Sequence, residues 1–225
     1  MEQIKKNDFI ELKFTGRVKD REIFDTNIKE DAEKIGLKLE DKPLIICVGH
    51  QMLISGFDKA LENKEVGKKY KIELSQDEAF GSRKKELVKL VSRNVFAEKN
   101  IDVRAGMTLA LDNMLVRIAN VSGGRVLVDF NNPLAGKDII YDFTIKRKVE
   151  DINEKINAIS SFFLKQPLEF EIKDKKIVFK TKNFYKPLID GLNKTFKDIL
   201  EMEMELENEK SSEKPKPAEQ IKQEK

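Results

Sequence analysis

The sequence has almost none of the residues from which disulfide frameworks and metal centres are built. Among its 225 residues there are one cysteine and one histidine, and tryptophan is absent. A lone cysteine excludes an intramolecular disulfide framework, and a lone histidine leaves no cluster for a metal, so we expect neither a metal nor a cofactor. Cys47 lies within an apolar run, and His50 has no carboxylate partner near it in sequence. Both observations argue against catalysis by a side-chain nucleophile.

An excess of one charge and a long apolar run are also missing. Lysine and arginine total 43 against 40 for aspartate and glutamate, which gives a net charge of +3. This balance argues against a dedicated nucleic-acid-binding protein, because such proteins usually concentrate basic residues in one domain. No apolar run has the length of a membrane span, and the start MEQIKKND has no apolar signal-peptide core. We therefore expect a cytoplasmic protein without membrane association.

Apolar and polar residues alternate along several short segments, which is the pattern of half-buried antiparallel strands. Tyr70 and Ile72 share one face of KYKIEL, and Tyr141 and Phe143 share one face of IIYDFTIKRKV. DFIELKFTGRV and KPLIICVG supply further strands. We predict an α+β fold, in which an antiparallel β-sheet is wrapped on the short helix ISGFDKALENKEVG, with Ser55 as its N-terminal cap.

A different pattern occupies residues 84–131, between the strands KYKIEL and IIYDFTIKRKV. GMTLALDN, MLVRIANVSGG and RVLVDFNN are three short strand candidates separated by turn signals. They suffice for a small all-β domain, here called the insert, placed within a loop of the first domain. The first domain then consists of residues 1–83 and 132–150.

Residues 151–207 predict a C-terminal α/β unit of two helices and the hairpin LEFEIKDKKIVFKT. The apolar stripes of the two helices are Ile152, Ile156, Ile159 and Phe163, and Leu188, Leu192, Phe196 and Ile199. Because a unit of this size is marginal on its own, we expect it to pair with a second copy in a homodimer. The tail 208–225 has two prolines and almost no apolar content, which predicts disorder.

Three stretches of the chain resemble the FKBP family of peptidyl-prolyl cis/trans isomerases. They are FTGRVKDREIFDT, KPLIICVGHQMLISGFDKALENKEVGKKYKIELSQDEAFG and the closing strand IIYDFTI. Their order, spacing and glycine placement agree with the family over roughly residues 8–82 and 133–149. NPLAGKD, shortly before the last strand, looks like the return from an insert-in-flap domain, as in SlyD-like and archaeal long-chain members. The insert then interrupts the flap beside the active-site pocket.

The resemblance implies an apolar pocket for rotation about X–Pro bonds. It assigns Phe57 as the pocket floor, where the family often has tryptophan, the Ile54 backbone N–H as donor to a substrate carbonyl, and Asp25 as a polar anchor at the rim. Phe14 and Phe80 stand where the family commonly has tyrosine, so a hydroxyl that could bind a substrate carbonyl is missing at Phe80. The full set of implied site residues is Phe14, Phe24, Asp25, Leu44, Leu53, Ile54, Phe57, Phe80 and Tyr141.

The same resemblance implies that the insert binds client polypeptides. The residues expected on that surface are Leu87, Leu90, Val91, Val95, Phe96 and Met107. The predicted function is that of a prolyl isomerase and folding chaperone, whose partners are unfolded or proline-containing polypeptides. Two alternatives remain open. One is a non-catalytic FKBP-fold binding module. The other is a ribosome- or RNA-associated factor, in which lysine-rich loops such as SRKKE would contact the nucleic acid.

Overall fold

The computed structural model describes residues 2–40, 42–111 and 114–207. The chain divides into two compact units, Met1–Ala158 and Ile159–Lys225. Among the helices of the described residues, none combines the length and the apolarity that crossing a bilayer requires.

Short strands dominate the chain, as the alternating patterns predict. Along the described residues the strands are β1 (Phe9–Val18), β2 (Ile23–Thr26), β3 (Leu44–Cys47), β4 (Lys69–Leu74), β5 (Val88–Ser92), β6 (Thr108–Leu111), β7 (Met114–Ser122), β8 (Arg125–Asp129), β9 (Ile139–Lys148), β10 (Phe170–Lys173), β11 (Lys176–Phe179) and β12 (Glu203–Leu206). The helices are α1 (Lys29–Lys34), α2 (Ser55–Ala60), α3 (Arg93–Ala97), α4 (Ile152–Phe163) and α5 (Lys186–Leu200). Single 3₁₀ turns occupy Lys85–Leu87 and Asn183–Tyr185.

The first unit is built on a five-stranded sheet in which β9 lies between β1 and β4. The strand order is β2–β1–β9–β4, β3 pairs with β1, and every pair is antiparallel. The register places Phe14 beside Phe143 and Gly16 beside Tyr141, so these residues share one face of the sheet. Helix α2 covers this face with Phe57, which contacts the rings of Phe14, Tyr141 and Phe143. The predicted fold class, an antiparallel sheet wrapped on a short helix, is confirmed.

Helix α2 begins without the side-chain cap predicted for it. Its N-cap residue is Ile54, no side chain caps it, and Ser55 is already the first helical residue. Asp58 is buried, and its carboxylate accepts from the backbone N–H groups of Gly49 and Gln51 at 2.9 and 3.0 Å. The helix is therefore fixed to the loop after β3 through its own acidic residue.

The insert forms a separate four-stranded antiparallel sheet of order β5–β8–β7–β6. The sequence predicts three of these strands and misses β5, whose residues VKLVS belong to an apolar run that continues into α3. The buried residues of its core are Phe96, Val103, Val116, Ile118, Val126 and Val128. The insert therefore has a core of its own.

Polar pairs join the two chain segments that connect the insert to the first sheet. Arg83 forms an ion pair with the buried carboxylate of Asp129. The Asn131 side chain accepts from the Lys84 backbone N–H at 2.8 Å and donates to the Lys84 carbonyl at 2.9 Å. The two connecting segments are thus cross-linked at the base of the insert.

The second unit contains a three-stranded sheet of order β10–β11–β12. β10 and β11 form the predicted hairpin, and Asp174 and Lys175 at its turn have φ angles of 45° and 62°. The sequence predicts the last helix over YKPLIDGLNKTFKDILEMEMELE, but α5 ends at Leu200. Glu201 adopts a left-handed conformation, and the chain returns as β12, which is parallel to β11. The tail 208–225, predicted to be disordered, lies outside the described residues.

The buried stripe of α5 differs from the predicted one. Its buried residues are Ile189, Leu192, Phe196 and Leu200. Leu188 is 50% exposed and Ile199 is only half-buried, so the buried face of α5 does not coincide with the predicted stripe. On α4, Ile156 and Ile159 are fully buried. Most of the apolar surface on which the homodimer was predicted is therefore covered within a single chain.

Candidate active site

Five aromatic rings meet on the covered face of the first sheet. Phe57 and Tyr141 are stacked, with centroids 4.2 Å apart and an interplanar angle of 17°. Phe14 lies 5.8 Å from each of these two rings. Phe24 lies 6.0 Å from Tyr141 and 5.8 Å from Phe80. The structure thus places all five aromatic residues implied by the sequence in one continuous group, here called the aromatic cluster.

Gly16 allows two rings of the aromatic cluster to approach the backbone of β1. A Cβ atom at this position would lie 2.7 Å from Cε1 of Tyr141 and 2.9 Å from Cζ of Phe24. Carbon atoms in contact are normally about 3.5–4.0 Å apart, so a side chain here would displace the rings. Gly16 is therefore a determinant of the site that the sequence analysis does not single out.

Asp25 lies at the edge of the aromatic cluster. Gly16 pairs with Asp25 on β2 and with Tyr141 on β9, so the three residues form one row on the same sheet face. Asp25 remains exposed as a residue, but partial removal of its carboxyl from water raises its pKa, while the Thr26 backbone N–H acts in the opposite direction. Burial also raises the pKa of Tyr141, and the negative charge of Asp25 raises it further.

The start of α2 presents a backbone donor beside the aromatic cluster. The N–H of Gly56 donates to the Glu78 carbonyl at 2.9 Å, which fixes the helix to the segment leading to Phe80. A Cβ at Gly56 would lie 2.6 Å from that carbonyl oxygen, so this approach requires glycine. Within residues 2–40, 42–111 and 114–207, no acceptor is hydrogen-bonded to the N–H of Ile54. The N–H of Ile54 is thus a donor that these residues leave unpaired.

The two aliphatic residues assigned to the pocket walls are half-buried. Leu44 pairs with Leu12, which shares its strand face with Phe14 two residues later. Leu53 directly precedes Ile54 at the start of α2. Both residues therefore lie on segments that border the aromatic cluster.

Phe143 packs against the aromatic cluster, although the family resemblance does not assign it to the site. It is 3% exposed, and its ring lies 5.2 Å from that of Phe57. Its position two residues after Tyr141 on one strand face was the available signal, because such residues point to the same side of a sheet.

The insert residues predicted to bind clients are not equally accessible. Leu90, Val95 and Met107 are 57%, 42% and 38% exposed. Leu87 is half-buried, and Val91 packs partly against the core of the insert. Three of the six predicted residues are thus well placed to contact another molecule.

Phe96 is fully buried, so the prediction that it lies on a binding surface is wrong. Helix α3 has five residues, and Phe96 is the one it buries in the core of the insert. Two exposed apolar residues were missed instead, Met114 at 49% and Leu115 at 55%. An apolar residue pattern alone does not tell which side chains face outward.

The described residues offer neither a metal site nor an activated thiol. No group of three His, Cys, Asp or Glu side chains among them is placed to hold a metal ion. Cys47 is fully buried, and burial raises the pKa of its thiol to about 12, so the thiol stays protonated at neutral pH. The aromatic cluster with its polar edge is the arrangement in these residues that offers chemistry.

The raised pKa of Asp25 predicts a pH-dependent effect on stability. A carboxyl group whose pKa is higher in the folded state destabilises the fold when ionised, and this effect disappears as the pH falls below the unfolded value near 3.9. Asp25→Asn should therefore melt slightly higher than the wild type at pH 7, by no more than about 2 °C because the residue is exposed, and equally at pH 3.5. Thermal unfolding at both pH values checks this. A lower melting temperature at pH 7 would mean that the carboxylate has a stabilising partner.

Comparison with known proteins agrees with the geometry of the site. Residues 1–114 match the FKBP-type peptidyl-prolyl cis-trans isomerase family. A short-type peptidyl-prolyl cis-trans isomerase of Methanocaldococcus jannaschii is 30% identical over 146 residues, which are 64% of this chain and 91% of that protein. The FKBP-type peptidyl-prolyl cis-trans isomerase SlyD of Haemophilus influenzae is 31% identical over 120 residues, 52% of this chain and 63% of that protein. SlyD of Escherichia coli is 30% identical over 118 residues, 51% of this chain and 60% of that protein.

The family and the relatives agree with the enzyme class predicted from the sequence. The matched residues 1–114 contain the Ile54 donor and four of the five rings of the aromatic cluster, those of Phe14, Phe24, Phe57 and Phe80. The chain belongs to the family of FKBP-type peptidyl-prolyl cis-trans isomerases.

Proposed function

We propose that this chain catalyses rotation about X–Pro bonds in the aromatic cluster and binds unfolded polypeptides through the insert. The observation that carries the first part is the combination of five contacting rings with the open N–H of Ile54. The second part is supported by the exposed apolar side chains of the insert.

An apolar cluster is a suitable catalyst for this rotation. The barrier is ~20 kcal/mol, because resonance stabilises the planar amide. The twisted amide has less charge separation than the planar one, so surroundings without water favour the transition state. Lowering the barrier by ~7 kcal/mol raises the rate by about five orders of magnitude, and a covalent step is not required.

The geometry suggests a role for each part of the site. Phe57 and Tyr141 are stacked on each other and buried, so together they form the apolar floor against which a proline ring would pack. The N–H of Ile54 donates to a carbonyl of the peptide and so holds the chain on one side of the rotating bond. Asp25, at the open edge of the row, anchors the substrate where it leaves the pocket.

The binding of unfolded clients is assigned to the outer face of the insert sheet. Val91 pairs with Val126, which is buried in the core, so the neighbouring pair Leu90 and Leu127 faces the other way. Leu90 is 57% exposed and Leu127 is half-buried. Leu115 adds a third apolar side chain that is 55% exposed. Exposed apolar groups of this kind usually mark interaction sites.

The direct test uses the intact chain in two assays. We expect it to accelerate the isomerisation of a proline tetrapeptide at least tenfold over the spontaneous rate, which has a time constant of about 10–100 s. We also expect it to accelerate the refolding of a protein limited by proline isomerisation. Peptide binding without acceleration would instead support the non-catalytic binding module, which the absence of hydroxyl groups at Phe14 and Phe80 favours.

Three further expectations stay predictions. Cytoplasmic location is one of them. Self-association through residues 151–207 is the second, and the apolar side chains still exposed there include Phe184 at 65% and Leu188 at 50%. An RNA-associated role is the third and has the least support, because Arg83 of the SRKKE loop is engaged in the ion pair with Asp129.

A further inference from the structure

We propose that the Tyr141 hydroxyl is the side-chain hydrogen-bond donor of the pocket, and that it donates to a backbone carbonyl of the bound proline-containing segment. It thereby supplies from β9 the group that is missing at Phe80. This inference rests on the proposed function, since it assigns a substrate contact to the same site.

The row formed by Asp25, Gly16 and Tyr141 directs the hydroxyl toward the open edge of the pocket. The outer two residues of the row lie on strands about 10 Å apart, and the residue between them has no side chain. A Cβ at Gly16 would lie 2.7 Å from Cε1 of Tyr141 and 3.2 Å from Cδ1. The ring therefore lies across Gly16 with its hydroxyl end toward β2 and Asp25.

Neighbouring rings hold Tyr141 in this orientation. Phe57 is stacked on it at 4.2 Å, and Phe14 and Phe24 contact it with centroids 5.8 and 6.0 Å away. The residue as a whole is 4% exposed. With three aromatic neighbours the ring cannot turn away, so its hydroxyl is preorganised and loses little freedom when a ligand binds.

The hydroxyl is nevertheless available to a ligand. Among the described residues it has no hydrogen-bond partner, and it is not one of the side-chain atoms that are both unpaired and shut off from solvent, which are Arg17 Nε and Glu65 Oε2. Tyr70 provides the contrast, because its hydroxyl accepts from the Glu65 backbone N–H at 2.9 Å. One tyrosine hydroxyl thus holds the fold together, and the other is open at the cluster.

Burial, and in second place the charge of Asp25, keep this hydroxyl a donor. Both raise the pKa of Tyr141 by disfavouring the phenolate, so Tyr141 carries its proton at every pH at which the protein would work. A protonated hydroxyl donates one hydrogen bond, and the Ile54 N–H donates another. The pocket then has two donors, one from β9 and one from the start of α2, for two carbonyl groups of an extended peptide.

Tyr141→Phe tests the role of the hydroxyl with the least disturbance, since it removes one oxygen and leaves every ring contact in place. We expect kcat/KM for a proline tetrapeptide to fall about tenfold, the effect of one lost hydrogen bond, with an unchanged melting temperature. Tyr70→Phe is the matched control on the neighbouring strand. It should lower the melting temperature, because the Glu65 N–H loses its acceptor, and leave kcat/KM within about twofold of the wild type.

A second substitution tests whether the two positions are equivalent. Phe80→Tyr should restore most of the lost kcat/KM in the Tyr141→Phe background and raise kcat/KM by a smaller factor in the wild type, where the carbonyl already has its donor. Equal gains in both backgrounds would show that the two hydroxyl groups act independently, and wild-type turnover by Tyr141→Phe would show that its hydroxyl has no role. Either result overturns the inference while the proposed function stands.

The failure of the proposed function would look different. In that case the wild type gives no turnover, and the dissociation constant of the same tetrapeptide is compared between the wild type and Tyr141→Phe. A tenfold weaker complex would support the hydroxyl as a binding donor in a non-catalytic pocket. An unchanged dissociation constant, or no binding at all, would overturn it.

Discussion

Phe57→Ala is expected to reduce peptide turnover on the order of 10²-fold and to lower the free energy of unfolding by about 3–5 kcal/mol. Phe57 is 1% exposed, and its ring contacts Phe14, Tyr141 and Phe143. Truncation leaves a cavity beside Tyr141, so the apolar floor against which a proline ring would pack loses one of its two rings and the other loses its support. Urea unfolding and kcat/KM for a proline tetrapeptide measure the two effects.

Phe96→Ala is the matched control for this prediction. Phe96 is also fully buried, but it belongs to the core of the insert. Its truncation should cost a similar free energy of unfolding and leave peptide turnover nearly unchanged below the unfolding transition. If Phe57→Ala stays folded and keeps its turnover, catalysis does not occur at the aromatic cluster.

Replacing residues 84–131 by a short loop is expected to separate the two activities. Turnover of a tetrapeptide should persist, because the aromatic cluster, Ile54 and Asp25 all lie outside the insert. Acceleration of protein refolding should fall by roughly 10²-fold, since an unfolded client would lose the second contact that concentrates it at the pocket. Suppression of client aggregation should disappear.

A milder variant keeps the insert folded. Leu90 and Leu115 are exposed, so changing both to serine should leave the core of the insert intact and still reduce refolding activity. Leu188→Ser is the control, because it removes an equally exposed leucine from the second unit. Equal losses in the peptide and protein assays after removal of the insert would mean that the insert only supports the pocket.

The strands that the sequence predicts are those with one buried and one open face. In β1, β4 and β9, apolar and polar residues alternate along the sequence, because each strand has a core side and an outer side. β12 is not predicted, because its segment EMEMELE is rich in good helix formers and because β11, the strand with which it pairs, is distant in sequence. Only the left-handed Glu201 and the tertiary pairing decide that this segment is a strand.

The site could be predicted in composition but not in arrangement. The aromatic residues followed from the family resemblance, and the structure brings them together. The role of Gly16 could not be predicted, because it depends on the register of β1 both with β2 and with β9, which is far from β1 in the chain. The prediction for Phe96 was wrong for a related reason. An apolar side chain is suited both to burial and to binding, and the fold decides which of the two occurs.

The position of β9 in the middle of the first sheet has a consequence for the order of folding. β9 separates β1 from β4, yet it follows the insert in the chain. The hairpins β6–β7 and β7–β8 are local contacts that form early, whereas β4 must wait for β9, its sheet partner, from the far side of the insert. At about 5–20 residues per second, synthesis of the insert alone delays the completion of the sheet by roughly a few seconds. During that interval β1 can pair with β2 and β3 but not with β9, and β4 has no sheet partner beside a folded insert. On the function proposed for the insert, the first unfolded polypeptide that it meets is then the N-terminal part of its own chain.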